Sequence, residues 1–169
     1  MCSRADFAKW ASSYKQMRME YFYREMRKRF GVLMQEGAAC AEPVGGQWNF
    51  DSENRSAFPK TGPGQIAPPA QFLPDEITCQ VIAEVESLFP DHPGELAHFI
   101  WPVTRDQALQ ALEQFIQTRL VNFGDYQDAM WTETPFGWHS LVSSSINLHL
   151  LDPREVTTAA EAAYQAGQA

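Results

Sequence analysis

Between Glu36 and Pro74 the sequence holds no hydrophobic period. Prolines fall at 43, 59, 63, 68, 69 and 74, and glycines at 37, 45, 46, 62 and 64. Proline removes a backbone donor and fixes φ, while glycine loosens the chain, so no long helix or central strand runs through such a stretch. It is far longer than ordinary connections, which makes it either functional or a linker. It also carries large aromatics in Gly45-Gly46-Gln47-Trp48-Asn49-Phe50-Asp51. Aromatic side chains inside a loop anchor it to a core, so an ordered segment is expected. Any fold must therefore place helices or strands on either side of this connection.

Both flanks read as helical. Ser3 and Asp6 suit a helix start, and Phe7, Trp10, Tyr14, Met17 and Tyr21 follow at three- and four-residue steps. A break is expected near Ser12-Ser13, and the helix resumes through Tyr23 to Arg29. Three bases in the last turn match the negative end of the helix dipole, and Gly31 is a natural stop. After Pro74, Ile77, Val81, Val85 and Leu88 mark a second helix that ends before Pro90. Thr104 with Gln107 forms a capping box ahead of Ala108, Leu109, Leu112, Phe115 and Ile116. Gly124 is expected at or just past the end of that helix. A short helical patch is expected at Tyr126 to Trp131, a loop at Thr132 to Trp138, and a new helix near His139-Ser140. Asp152, Pro153 and Glu155 open the last helix, which runs to about Ala166 before Gly167. No alternating run supports a substantial sheet. The expected fold is mainly α.

With 169 residues the chain is long enough for one sizeable core and too short for two ordinary domains. No run of about 18 apolar residues exists to span a membrane. The N-terminus lacks the apolar core of a signal peptide, so a cytoplasmic chain is expected. Cys2, Cys40 and Cys79 are widely spaced and form no CxxC pair, so they are read as ordinary thiols. Residues 1–60 hold ten Lys and Arg against seven Asp and Glu, whereas residues 61–169 hold three against fourteen. A net charge of −8 argues against non-specific DNA binding by the chain as a whole. The basic N-terminal third could still touch phosphates.

Three constellations could carry chemistry. Glu20 to Arg29, with Gly45 to Arg55, combines basic and aromatic residues in a mix that binds nucleic acid by phosphate contact and stacking. Composition alone favours a packed helix with a charged outer face. His139-Ser140-Leu141-Val142-Ser143 lies where a loop meets a helix, and free N–H groups with hydroxyls suit a pyrophosphate or ribityl chain. A serine-capped helix without ligand is the commoner outcome of that spacing. Asp51 and Asp128 are the carboxylates that a divalent cation could bridge to phosphate or water, although from the sequence alone loop capping by Asp51 and helix N-capping by Asp128 are the commoner outcome.

The first constellation resembles the bacterial iron–sulfur photolyases and cryptochromes, the group that includes prokaryotic (6-4) photolyases. The likeness continues through Asp75 to Phe89, Val103 to Ala108, Asn122-Phe123-Gly124, Gln127 to Met130, His139 to Ser143 and Leu150-Leu151-Asp152. It covers essentially the whole chain. The resemblance implies an internal piece of such a protein: residues 1–35 as the helical end of an antenna domain, 36–74 as the interdomain connection, and 75–169 as the first helices of the all-α FAD-binding domain. It implies partial FAD contacts at His139, Ser140, Leu141, Val142 and Ser143, with Tyr126 a further candidate. It implies a Mg²⁺ or other divalent cation at Asp51, and by extension Asp128, and DNA contacts at Asn54 and Arg55. The sequence departs from the family at His149, where many photolyases have glycine.

The family's lumazine antenna domain is expected before Met1. Its catalytic histidines, electron-transfer chain and [4Fe–4S] cysteines are expected after Ala169, so no catalytic residue is assigned here. The implied activity of the whole protein is light-driven repair of damaged DNA, with the lesion flipped out to meet the flavin. A cryptochrome-like photoreceptor of the same family is the alternative, and a truncated, non-catalytic binding module is the competitor from another class. The implied partners are damaged DNA and the remainder of the chain's own polypeptide. The segment alone is expected to bind FAD weakly and to expose apolar helix faces.

Overall fold

The computed structural model describes residues 2–35 and 42–168. They form seven α-helices, and pairing between extended segments is limited to two isolated bridges, Met34 with Pro43 and Trp131 with Thr134. The helices are α1 (Arg4–Ala11), α2 (Met19–Phe30), α3 (Glu76–Leu88), α4 (Arg105–Thr118), α5 (Leu120–Tyr126), α6 (Ser143–Asn147) and α7 (Pro153–Gln165). The mainly α reading holds.

Most boundaries follow from local chemistry. Capping boxes open α1 at Ser3 and Asp6, α4 at Thr104 and Gln107, and α7 at Asp152 and Glu155. Each satisfies N–H groups that a helix start leaves free. Gly31 closes α2 in the left-handed region at φ 68°, and the break after Ala11 lies where Ser12-Ser13 placed it.

Three boundaries differ from the sequence expectation. Gly124 lies inside α5, because the helical path breaks earlier, at Arg119. Arg119 sits at φ −126° and sends its guanidinium to the carbonyl of Ala67 at 2.7 Å. The expected patch at Tyr126 to Trp131 is a turn and bridge rather than a helix. The helix expected near His139-Ser140 opens at Ser143. Leu141 holds φ 59°, a left-handed conformation that no helix can include.

The core gathers on α4. Ala108, Leu112 and Phe115 share one face and meet Val142 and Leu151, with Phe123, Ile146 and Val156 around them. Phe115 and Phe123 meet edge to face at 5.3 Å. Helix α4 packs against α5 and α7, and no other helix pair among the described residues packs as extensively. Arg105 on α4 binds the carboxylate of Glu155 on α7 and donates to the carbonyl of Leu150 at 2.8 Å.

A smaller aromatic cluster joins α1 to α2. Phe22 meets Phe7 edge to face at 5.2 Å and Trp10 at 4.9 Å. Arg29 pairs with Asp6 at 3.2 Å across the same seam. The two clusters are tied by Glu161 of α7, whose carboxylate accepts the backbone N–H of Leu33 at 2.6 Å.

Candidate functional site

From Trp48 to Ala70 the connector is held at several points by side chains from the helices. Trp48 lies beneath three cations of α2: Arg24 at 5.5 Å, Arg27 at 5.6 Å and Lys28 at 5.2 Å from the ring centre. Arg27 is only 8% exposed and pairs with no carboxylate among the described residues. Its guanidinium donates to the carbonyls of Val32, Leu33 and Trp48 and to the Tyr23 hydroxyl. Part of the basic cluster therefore builds structure. Gly45 at φ 80° permits the approach of Phe50, whose Cζ would lie 3.1 Å from a Cβ there.

Beyond Phe50 the chain turns tightly. The Phe50 carbonyl accepts the N–H groups of Glu53 and Asn54, leaving Asp51, Ser52 and Glu53 exposed on the turn. Asn54 is half-buried, and its Oδ1 faces Gly124 of α5. Arg55 is exposed, and the Ser56 N–H donates to the carbonyl of Asp125. Phe58 stacks on Tyr126 at 5.0 Å and meets Trp131 edge to face. Further along, Gln114 of α4 donates to Pro68 O at 2.9 Å and accepts from Ala70 N at 2.6 Å.

The candidate flavin residues fall in three settings. Ser140 and Leu141 line a cleft of about 20 Å³ with Trp101 and Arg119. Tyr126 lines a separate groove of about 490 Å³ with Phe58 and Trp138. Val142 is buried in the core and its carbonyl accepts from Ile146, while His139 and Ser143 are exposed. The structure thus joins Ser140 to Leu141 at one cleft and sets Tyr126 apart.

Arg119 was not singled out in the sequence. It is 2% exposed, and its Nε has no partner. Burial pushes its guanidinium below the ordinary arginine value. It borders both the Ser140 cleft and a groove of about 810 Å³ between residues 64–69 and 133–137. The signal available in the sequence was a lone base inside an apolar helical pattern. An orphaned buried donor beside Ser140 suits one edge of a phosphate-bearing cofactor in kind, but the cleft is far smaller than the several hundred Å³ of an enclosed cofactor site. Around Ser140 and Arg119 the described residues form an open edge rather than a closed pocket.

Asp51 and Asp128 are both exposed, and no group of three or more His, Cys, Asp or Glu able to hold a cation occurs among the described residues. Two carboxylates without a third do not make a cation cage. Cys2 and Cys79 are free thiols, and Cys40 lies outside the described residues. No described helix is long and apolar enough to cross a membrane.

His149 is exposed and stands at φ 59°, its N–H donating to Ile146 O at 3.1 Å. This explains the glycine that the family resemblance places there. The histidine is accommodated at the surface, in a backbone conformation that favours glycine.

The mainly helical body and the aromatic-anchored part of the connector agree with the fold class expected from the sequence. Residues 1–101 match the family model of deoxyribodipyrimidine photo-lyase-related proteins, and the chain belongs to that family. The chain is also 47% identical over 170 residues to a protein named (6-4) photolyase from Agrobacterium fabrum (strain C58 / ATCC 33970). That match covers 100% of this chain and 32% of the relative, so the chain spans about a third of the relative's length.

Proposed function

We propose that the chain is the connector and first flavin-domain helices of a light-driven photolyase that repairs (6-4) photoproducts in DNA. The observation that carries this reading is 47% identity, sustained along the whole chain, to a protein of that name. When bound, a reduced FAD supplies the photoexcited electron such repair requires.

The chain's own residues act around that chemistry. Ser140 and Arg119 hold one edge of the cofactor by hydrogen bonding, with Leu141 shaping the cleft and Tyr126 bordering the neighbouring groove. Asn54 and Arg55 close the exposed turn, and Arg55 with the exposed bases of α2 would meet DNA phosphates. A cation at Asp51 would need phosphate or water oxygens to complete its shell, and no step is assigned to it. Gln114, Arg119 and Arg27 keep the connector in place through its carbonyls at Pro68, Ala67 and Trp48.

The test is light-driven repair by the full-length protein. Duplexes carrying a (6-4) photoproduct or a cyclobutane dimer are illuminated with blue light and the restored bases counted. Repair of the (6-4) lesion supports the reading. Repair of neither lesion by a flavin-loaded protein would overturn it in favour of a photoreceptor.

A further inference from the structure

Helix α3 carries an apolar stripe that nothing in the described structure covers. Ile77, Val81 and Leu88 lie on one face and are 71%, 52% and 62% exposed. Val85 continues that stripe toward Thr78 and Ile82, the side of the helix that is buried or half-buried. The apolar arc is thus wider than the part that is packed. At its C-terminal end the stripe runs through Val85 into a groove of about 580 Å³, shaped by Phe89, Pro90 and Leu96.

Charge selects the occupant. From Thr61 to Thr104 there is no Lys or Arg, while Asp75, Glu76, Glu84, Glu86, Asp91 and Glu95 all lie there. Glu84, Glu86, Asp91 and Glu95 are exposed around the stripe and groove. Phosphate backbones and anionic lipid surfaces are repelled by such a rim. A second copy of α3 would set carboxylates against carboxylates. What fits is an apolar segment flanked by Lys and Arg.

We propose that the α3 stripe and its acidic groove dock a basic amphipathic helix from the same polypeptide, in the part of the protein beyond the third matched here. This rests on the reading of the chain as one segment of a photolyase-length protein. Such a helix buries the stripe by the usual helix-in-groove logic, with apolar anchors at helical spacing and its bases on the rim.

The experiment compares hydrogen exchange of the α3 amides in the 169-residue chain and in the full-length protein. Docking is expected to slow that exchange by on the order of 100-fold in the full-length protein. Carbodiimide coupling of the full-length protein then reads the partner. Bonds from Glu84, Glu86 or Glu95 to lysines outside these 169 residues support the proposal. Equal exchange in the two proteins overturns it, as does coupling between two copies, shown by doubled mass. Glu84→Lys combined with Glu86→Lys and Glu95→Lys gives a further reading that does not depend on folding yield, since it should abolish the coupling from these positions while circular dichroism stays unchanged. A full-length protein that shows slowed exchange but repairs neither lesion would sink the photolyase reading and leave the docking intact.

Discussion

Glu161 and Leu33 are 128 residues apart, yet the carboxylate of one accepts the backbone N–H of the other at 2.6 Å. The bond closes α7 onto the turn that follows α2. Leu33 sits at φ 48°, so its N–H faces away from any helical partner and depends on Glu161. We expect Glu161→Ala to cost about 1–3 kcal/mol, the usual cost of stranding a partly buried donor. Glu161→Gln should cost less, because an acceptor oxygen remains. The midpoint of urea unfolding checks both.

Gln114→Ala should release the connector without collapsing the core. The side chain meets Pro68 O and Ala70 N together, so its loss strands two backbone groups. Limited proteolysis should then cut between residues 64 and 72 at a rate the parent chain resists. Leu112→Ala is the contrasting variant. It empties the core and should cost about 2–5 kcal/mol while leaving the connector's own bonds in place.

His149→Gly should stabilise the chain. The residue is exposed, so little packing is lost, and glycine relieves a left-handed backbone worth roughly 1 kcal/mol. A rise in the thermal midpoint checks this, and His149→Val should lower it.

Acid should loosen the α1–α2 seam. Hydrogen bonding from Ser3 and then Arg29 lowers the Asp6 carboxyl to about 2, against an ordinary value of 3.8. A carboxyl whose folded value is depressed stabilises fully above its ordinary value, and that contribution is lost as pH falls from 3.8 toward about 2. Glu155 is likewise held below its ordinary value, chiefly by Arg105, so the α4–α7 clasp weakens in the same direction. Asp6→Asn should flatten the acid dependence of Trp10 fluorescence, which reports on that seam.

In the full-length protein Ser140→Ala should weaken flavin retention about tenfold, the equivalent of one hydrogen bond at roughly 1.4 kcal/mol. Fluorescence of the flavin released on dilution measures it. Unchanged retention would remove Ser140 from the cofactor's edge.

The parts legible in the sequence were those with local causes. Capping boxes at Ser3, Thr104 and Asp152 and the stop at Gly31 can each be read within a few residues. The apolar stripe of α4 was legible from its spacing, and the aromatics of the connector announced its order. The break at Arg119 was not legible, because its cause lies at Ala67, far away in sequence. The late start of α6 was hidden for a related reason, since Leu141 takes a left-handed φ that its identity does not advertise. At the candidate site, Ser140 and Leu141 were visible from spacing and family likeness, while their neighbour Arg119 was not, because adjacency in space left no trace in spacing.

The anchorage of Arg27 has a consequence for how this molecule would fail. Its partners are carbonyls and a phenol, and Gln114 and Arg119 hold the connector through carbonyls and an amide as well. None of these groups takes up a proton in mild acid. The helix-to-helix ion pairs, by contrast, run through Asp6 and Glu155. As pH falls these ion pairs weaken first, while the connector's own bonds are unchanged. The irregular segment is therefore the acid-resistant strap of the fold.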